Sequence, residues 1–178
     1  MQEIEAKILE INREGVESSL LRMGARKVFE GEIETFFYDF KDGSIVKSRN
    51  VLRLRREGAD VVLTFKNVLA SEGAKMAEEY SVKVSNLEVA QKILASLGLV
   101  LIESMQKHRT SYEIEGAHFD LDKYSGKYGY IPEFVEIEAD SVGKIHEHAE
   151  ALGFKAEQCL AWSTTQVIEH YEKKRRGY

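Results

Sequence analysis

Along much of this chain apolar and polar residues alternate with a period of two, the spacing of a β-strand that points residues i, i+2 and i+4 to one face. In the first such segment Ile4, Ala6 and Ile8 take one face, and Glu3, Glu5 and Lys7 take the other. The pattern returns over 51–57, where Arg53 and Arg55 oppose Leu52 and Leu54, and over 60–67, where Thr64 and Lys66 oppose Leu63 and Phe65. Over 77–84, Glu79, Ser81 and Lys83 oppose Tyr80, Val82 and Val84; over 105–115, Lys107, Arg109 and Ser111 oppose His108, Thr110 and Tyr112. Asp120 and Asp122 oppose Phe119 and Leu121 over 117–123, and Glu136 and Glu138 oppose Val135 and Ile137 over 133–139. Further strand patterns lie around 28–40 and 99–115, and Gly58 and Gly116 mark short turns.

Between strands the period lengthens to that of a helix, and a weak repeat emerges. Glu3-Ile-Glu-Ala-Lys7, Glu79-Tyr-Ser-Val-Lys83 and Glu136-Ile-Glu-Ala-Asp140 each precede a helical pattern. Those helices end in similar phrases at Gly24, Gly98 and Gly153, where a glycine suits the left-handed residue after a helix. The expectation is a duplicated β-α-β plan with a third partial copy. A last helix is predicted over 157–175, with Leu160, Val167, Ile168 and Tyr171 on its apolar side. Its terminal run Lys173-Lys-Arg-Arg176 reads as cations placed favourably at a helix C-terminus, rather than as a nucleic-acid tail.

The polar faces consist largely of full charges. Helices outside the sheet bury their apolar sides on the apolar strand faces, so the charged faces meet bulk water or line a cavity. Enclosed charges need partners in one another, water, metal or ligand. Lys7, Arg53, Arg55, Lys66, Lys107 and Arg109 form a cation set suited to several phosphates, arginine binding bidentately and lysine as a point charge. Glu3, Glu5, Asp120, Asp122, Glu136 and Glu138 offer hard oxygen ligands; Mg²⁺ favours one or two carboxylates, several waters and substrate phosphates.

Composition narrows the classes. At 178 residues, with Pro132 the only proline and no low-complexity linker, one domain over 1–178 is expected. The net charge of −5 argues against broad nucleic-acid binding. No apolar run approaches the roughly 20 residues that span a bilayer, and the acidic start lacks a signal peptide's basic region, so a cytoplasmic protein without membrane partners is expected. Cys159 is alone and reads as a structural thiol. His108, His118, His146, His148 and His170 form no metal-ligand constellation. Tyr124, Tyr128 and Tyr130 lie in a loop and are candidates for substrate contact, whereas Trp162 and Tyr171 read as packing.

In order along the chain, Glu3-x-Glu5-x-Lys7, Leu52-Arg53-Leu54-Arg55, Leu63-Thr-Phe-Lys66, Lys107-His-Arg109, Leu121-Asp122 and Phe134-Val-Glu136-Ile-Glu138 resemble the CYTH superfamily, which groups class IV adenylyl cyclases with thiamine triphosphatases. The resemblance covers nearly the whole chain. It implies an α+β fold built on an antiparallel eight-stranded closed β-barrel, a triphosphate tunnel with helices packed outside. By position it implies metal ligands at Glu3, Glu5, Asp122, Glu136 and Glu138, with Mg²⁺ or Mn²⁺ as cofactor. Lys7, Arg53, Arg55, Lys66, Lys107 and Arg109 would bind phosphate, and Glu5, Lys7 and Glu136 would carry catalysis. Glu79 occupies a strand where the family often has an inward acid and receives no role. The segment Lys123–Glu133 is longer than the short glycine turn of many members and is placed to cover one tunnel mouth.

Two reactions suit such a lining. Hydrolysis directs a metal-polarised water at the terminal phosphorus; cyclisation directs the substrate's 3′-hydroxyl at the α-phosphorus, releasing pyrophosphate. A non-catalytic polyphosphate- or nucleotide-binding module would have less use for the acids. Hydrolysis of tripolyphosphate or an organic triphosphate is favoured, because it makes fewer demands on base recognition. The alternative is a class IV adenylyl cyclase converting ATP to cyclic AMP. The partner is a small-molecule triphosphate, and a homodimer is compatible with the sequence.

Overall fold

The computed structural model describes residues 2–69, 75–114 and 116–177, with the backbone alone for residues 2, 3, 68, 69, 75 and 76. In chain order the elements are β1 (Gln2–Leu9), α1 (Arg13–Arg22), β2 (Arg26–Phe40), α2 (Ser44–Lys47), β3 (Asn50–Glu57), β4 (Asp60–Leu69), β5 (Lys75–Val84), α3 (Leu87–Ser96), β6 (Leu99–Ile114), β7 (Ala117–Tyr124), β8 (Phe134–Ala139), α4 (Val142–Ala151) and α5 (Thr164–Arg176). The eight strands form one curled antiparallel sheet in the order β1-β5-β4-β3-β2-β6-β7-β8. β1 runs beside β8 from Ile4 to Leu9 and beside β5 from Gln2 to Glu5. This is the α+β, eight-stranded antiparallel architecture that the resemblance implies. No helix among the described residues is long and apolar enough to cross a membrane.

The apolar strand faces are covered from outside. α1 and α4 place Val16, Leu20, Ile145 and Ala149 on Ala6, Ile8, Phe119, Leu121, Val135 and Ile137. α3 sets Leu87, Ala90 and Leu94 against Tyr38, Leu54 and Val61. α5 brings Val167, Ile168 and Tyr171 onto Tyr124, Tyr128, Ile131 and Phe134. Burying apolar side chains of this size contributes roughly 1.5–3 kcal/mol each, and it commits the opposite, charged face of each strand to the inside of the curl.

The predicted repeat is a spatial one. A shift of 74 residues carries α1 onto α3 and its capping Asn12 onto Asn86. It also carries Gly24 onto Gly98, both left-handed at φ 89° and 90°. The same shift exchanges ladder partners: Gln2↔Glu78 maps onto Ile4↔Met76, and Glu32↔His108 onto Glu34↔Gln106, while Glu3↔Ala77 and Ile33↔Lys107 map onto themselves. The two register shifts between β2 and β6 also exchange. β1–α1–β2–β3–β4 and β5–α3–β6–β7–β8 are therefore related by an approximate two-fold axis. The sequence phrases align two residues out of step: the spatial equivalent of Glu79 is Glu5, not Glu3. The third phrase begins no further unit, since β8 is the counterpart of β4.

The last helix starts later than predicted. Ser163 caps it, its Oγ accepting from Gln166 N at 3.3 Å while Gln166 Oε1 accepts from Ser163 N at 2.8 Å, a reciprocal capping box. Upstream the chain is extended enough for Leu160 to exchange backbone hydrogen bonds with Lys7 at 2.9 and 2.8 Å. Leu160 thus serves as an edge partner of β1 and not as a helix residue.

Candidate active site

The charged strand faces enclose a cavity of about 960 Å³. It is lined by the predicted side chains Glu5, Lys7, Arg53, Arg55, Lys66, Lys107, Arg109, Asp122, Glu136 and Glu138. The side chain of Glu3 lies outside the described residues.

On the β1–β8–β7–β6 wall the charges interlock. Lys7, buried, meets Glu136 across β1 and β8 and lies 3.4 Å from Glu5 Oε1. Burial opposes the charge of Lys7, but Glu136 and Glu5 outweigh it and hold the ammonium above its ordinary range. Burial likewise opposes ionisation of Glu136, and Lys7, Arg109 and Lys107 hold it well below the usual carboxylate range. Asp122, with no exposed surface, receives Arg109 Nε on Oδ1 at 2.7 Å and both Arg109 Nη2 and Lys107 Nζ on Oδ2 at 2.6 Å. Asp120 binds Arg109 Nη1, accepts from Ser111 Oγ at 2.6 Å and lies 3.0 Å from His118 Nε2. Burial would raise the Asp120 carboxyl, but Arg109 and His118 bring it down to about 2. Lys107 moves the other way: burial and the neighbouring Arg109 push it down to about 8 against the pull of Asp122.

The facing β5–β4–β3 wall is built on Glu79. Its Oε2 lies 2.5 Å from Lys66 Nζ and 3.5 Å from Arg53 Nη2, and its Oε1 accepts from Ser81 Oγ at 2.6 Å. Ser81 Oγ is in turn 2.9 Å from Thr64 Oγ1. Burial opposes ionisation of Glu79, but Lys66, Ser81 and Arg53 prevail and lower it to about 2. Arg55 lies 3.2 Å from Glu57.

Several lining residues escaped the sequence reading. Ser163, Thr164, Thr165 and Gln166 at the start of α5 reach the cavity, as do Thr35 and Phe37 of β2 and His118 of β7. The strand alternation could have found Thr35 and Phe37, but a helix terminus docked over the sheet carries no local signal. Of the three tyrosines expected in a loop, Tyr124 is the last residue of β7, paired with Lys107, and it lines the cavity with its hydroxyl pushed up to about 12 by burial and by Asp122. Tyr128 instead donates to Glu103 Oε2 at 2.6 Å, and Tyr130 lies under Arg175, whose guanidinium is 4.3 Å from the ring centre. The 125–133 segment is held down by α5.

Metal fit follows from the donor set. Glu5 and Glu138 are direct cross-strand partners, and Glu136 is opposite Lys7 two residues along. Two facing carboxylates in a cavity that also holds several cations match what Mg²⁺ or Mn²⁺ accepts when phosphate and water fill the remaining positions. Both Asp122 oxygens are occupied by Arg109 and Lys107. Among the described residues no three His, Cys, Asp or Glu side chains form a ready-made metal cage.

Known proteins share this architecture. A Methanocaldococcus jannaschii protein named "Putative adenylate cyclase" is 24% identical over 152 residues, covering 85% of this chain and 84% of its own. A Vibrio parahaemolyticus structure, also described as a putative adenylate cyclase, superposes with a TM-score of 0.79 at 17% identity, covering 94% of this chain and 97% of that one. A Hippeastrum structure named as a putative adenylyl cyclase with a dominant triphosphatase activity gives 0.67 at 16% identity, covering 95% and 96%. These two likenesses establish the fold. The CYTH domain model matches residues 1–178, and the chain belongs to the CYTH family.

Proposed function

We propose that the protein is a divalent-metal-dependent phosphohydrolase that cleaves tripolyphosphate or an organic triphosphate inside a closed tunnel. The observation that carries this reading is the convergence of Arg53, Arg55, Lys66, Lys107 and Arg109, from three strands, on one cavity that also holds Glu5, Glu136 and Glu138. A polyphosphate chain needs several cations along its length, and the acids answer to a metal that would ride on it. The volume also leaves space for an organic group, which would lie toward Tyr124 and the start of α5.

Arg53 and Arg55 clamp phosphate oxygens bidentately, and Lys66 adds a point charge. Lys107 and Arg109 approach from the other wall, fixed in place by Asp122. Glu5 and Glu138, with Glu136 nearby and Glu3 extending the same strand face, would hold Mg²⁺ or Mn²⁺. Such an ion neutralises phosphate charge and makes a water more nucleophilic. Glu136, kept ionised by Lys7, accepts a hydrogen bond from the attacking water and aligns it with the terminal phosphorus. Asp122 acts as the counter-charge that aims two phosphate binders. These assignments favour positioning and charge neutralisation, the usual means of phosphoryl transfer.

The second reading is adenylyl cyclase, favoured by the naming of the Methanocaldococcus relative. Hydrolysis is preferred because the cavity wall is specialised for phosphate, and the Hippeastrum relative is described with a dominant triphosphatase activity. Incubation with ATP, thiamine triphosphate and tripolyphosphate under Mg²⁺ or Mn²⁺, with products resolved by chromatography, decides between them. Orthophosphate with a diphosphate is expected. Cyclic AMP with pyrophosphate would overturn the hydrolase reading.

A further inference from the structure

The two-fold relation between the halves of the sheet turns the cavity into an internal comparison. Thr35 pairs with Arg55 as Arg109 pairs with Asp122, and Phe37 pairs with Arg53 as Ser111 pairs with Asp120. Val51 pairs with Lys66 as His118 pairs with Glu138. Three equivalent positions therefore carry opposite charge in the two halves: Arg55 against Asp122, Arg53 against Asp120, and Lys66 against Glu138. At the next equivalent position the sign is kept. Lys66 pairs with Glu79 as Glu138 pairs with Glu5, and both of these inward residues are glutamates.

The same residue in the same backbone slot has opposite neighbours. Glu5 looks across its β8 ladder at the Glu138 carboxylate, with Lys7 Nζ 3.4 Å from its Oε1. Glu79 looks at Lys66, 2.5 Å away, with Arg53 on the same oxygen at 3.5 Å and Ser81 on the other at 2.6 Å. A carboxylate so engaged already has its charge matched by two cations, and it fixes those two flexible side chains at one separation. Holding long side chains in one geometry costs conformational entropy, and a shared counter-charge meets that cost before ligand arrives.

We infer that Glu79 is a positioning residue of the phosphate-binding wall, setting the Lys66–Arg53 pair for phosphate, and that it is not a ligand of a second metal. The inference rests on the triphosphate reading of the site but concerns binding, not the bond broken. The test is calorimetric titration of tripolyphosphate into metal-free protein, and of Mn²⁺ into phosphate-free protein. It uses the wild type, Glu79→Gln, Glu79→Asp, Ser81→Ala and Glu5→Gln, with steady-state kinetics alongside. Glu79→Gln is expected to weaken tripolyphosphate binding about tenfold and to raise KM in parallel, with kcat within about threefold. Glu79→Asp should recover most of the loss. Mn²⁺ affinity should be unchanged in both Glu79 variants and lost in Glu5→Gln. Ser81→Ala, which removes only the hydroxyl on Oε1, should give a smaller loss of about threefold and supplies the answer where Glu79→Gln does not fold.

Unchanged tripolyphosphate affinity in these variants, or weaker Mn²⁺ binding in Glu79→Gln, overturns the inference while leaving the hydrolase reading intact. Glu79-dependent binding without hydrolysis overturns the hydrolase reading and supports the inference. No tripolyphosphate binding by the wild type overturns both.

Discussion

Arg109 grips Asp122 with two hydrogen bonds, Nε to Oδ1 at 2.7 Å and Nη2 to Oδ2 at 2.6 Å, on a carboxylate with no exposed surface. Lys107 adds a third at 2.6 Å. Removing one member of a buried ion pair leaves the others desolvated and uncompensated, at a cost of roughly 3–5 kcal/mol. Asp122→Ala should therefore lower the urea midpoint by an amount equivalent to about 3–5 kcal/mol with an unchanged slope. A loss under about 1 kcal/mol would mean that Asp122 does not hold the two cations.

Glu5→Gln isolates the proposed metal role. Glu5 is buried, faces Glu138 across the ladder and lies 3.4 Å from Lys7. The amide keeps the shape and removes the charge, so the circular dichroism spectrum should be retained. Phosphate release should fall at least about a hundredfold, the scale on which a transition-state electrostatic contact acts. An unaltered rate would remove Glu5 from the metal site.

Asp120 provides the pH dependence. Its carboxyl is at about 2 in the fold against an ordinary 3.8, because Arg109 and His118 outweigh the effect of burial. A depressed folded value means that its stabilisation is fully present above about pH 4 and is lost as the pH falls toward 2. Asp120→Asn should flatten the acid limb of the stability curve in that window by up to about 2 kcal/mol. A slope identical to the wild type between pH 4 and 2 would refute the assignment.

Glu10 joins β1 to α1 with φ at 56°, left-handed for a side-chain-bearing residue, and is held by Tyr171 Oη at 3.1 Å and Lys174 Nζ at 2.7 Å. Left-handed backbone costs roughly 1–2 kcal/mol without glycine. Glu10→Ala loses both bonds and keeps the strain, so it should melt lowest. Glu10→Gly loses the bonds but relieves the strain, and should exceed Glu10→Ala by about 1 kcal/mol in chemical denaturation. The reverse order would mean that glycine's greater freedom in the unfolded chain outweighs any strain at this position.

The alternation of Arg53 with Leu54, or of Asp122 with Leu121, made the inside of the curl readable because a strand has only two faces and the apolar one must be covered. The set of charges in the cavity follows from that. Its wiring does not: nothing local to Asp122 says that it will be saturated by Arg109 and Lys107, or that Glu79 will serve Lys66 and Arg53. Those partners arise from ladder register, which is fixed by strands far apart in the chain. The repeat was visible in Gly24 and Gly98, yet its phrases were two residues out of step in β1 and β5, because glutamates recur on one face every second residue. The residues 157–163 show helical spacing, but the Ser163–Gln166 capping box starts α5 later and leaves Leu160 free to pair with Lys7.

That pairing has a consequence for the order of assembly. β1 takes partners from Lys75–Glu78, from Phe134–Ala139 and from Leu160, so its pairing is complete only once Leu160 has been made. At the usual rate of about 5–20 residues per second, roughly 8–30 s of translation separate Lys7 from its last partner. β5 can pair with part of β1 first; the rest of the β1 backbone lacks native partners until β8 and Leu160 arrive. Charged residues such as Glu5 and Lys7 are of the kind that discourage edge pairing while such partners are missing.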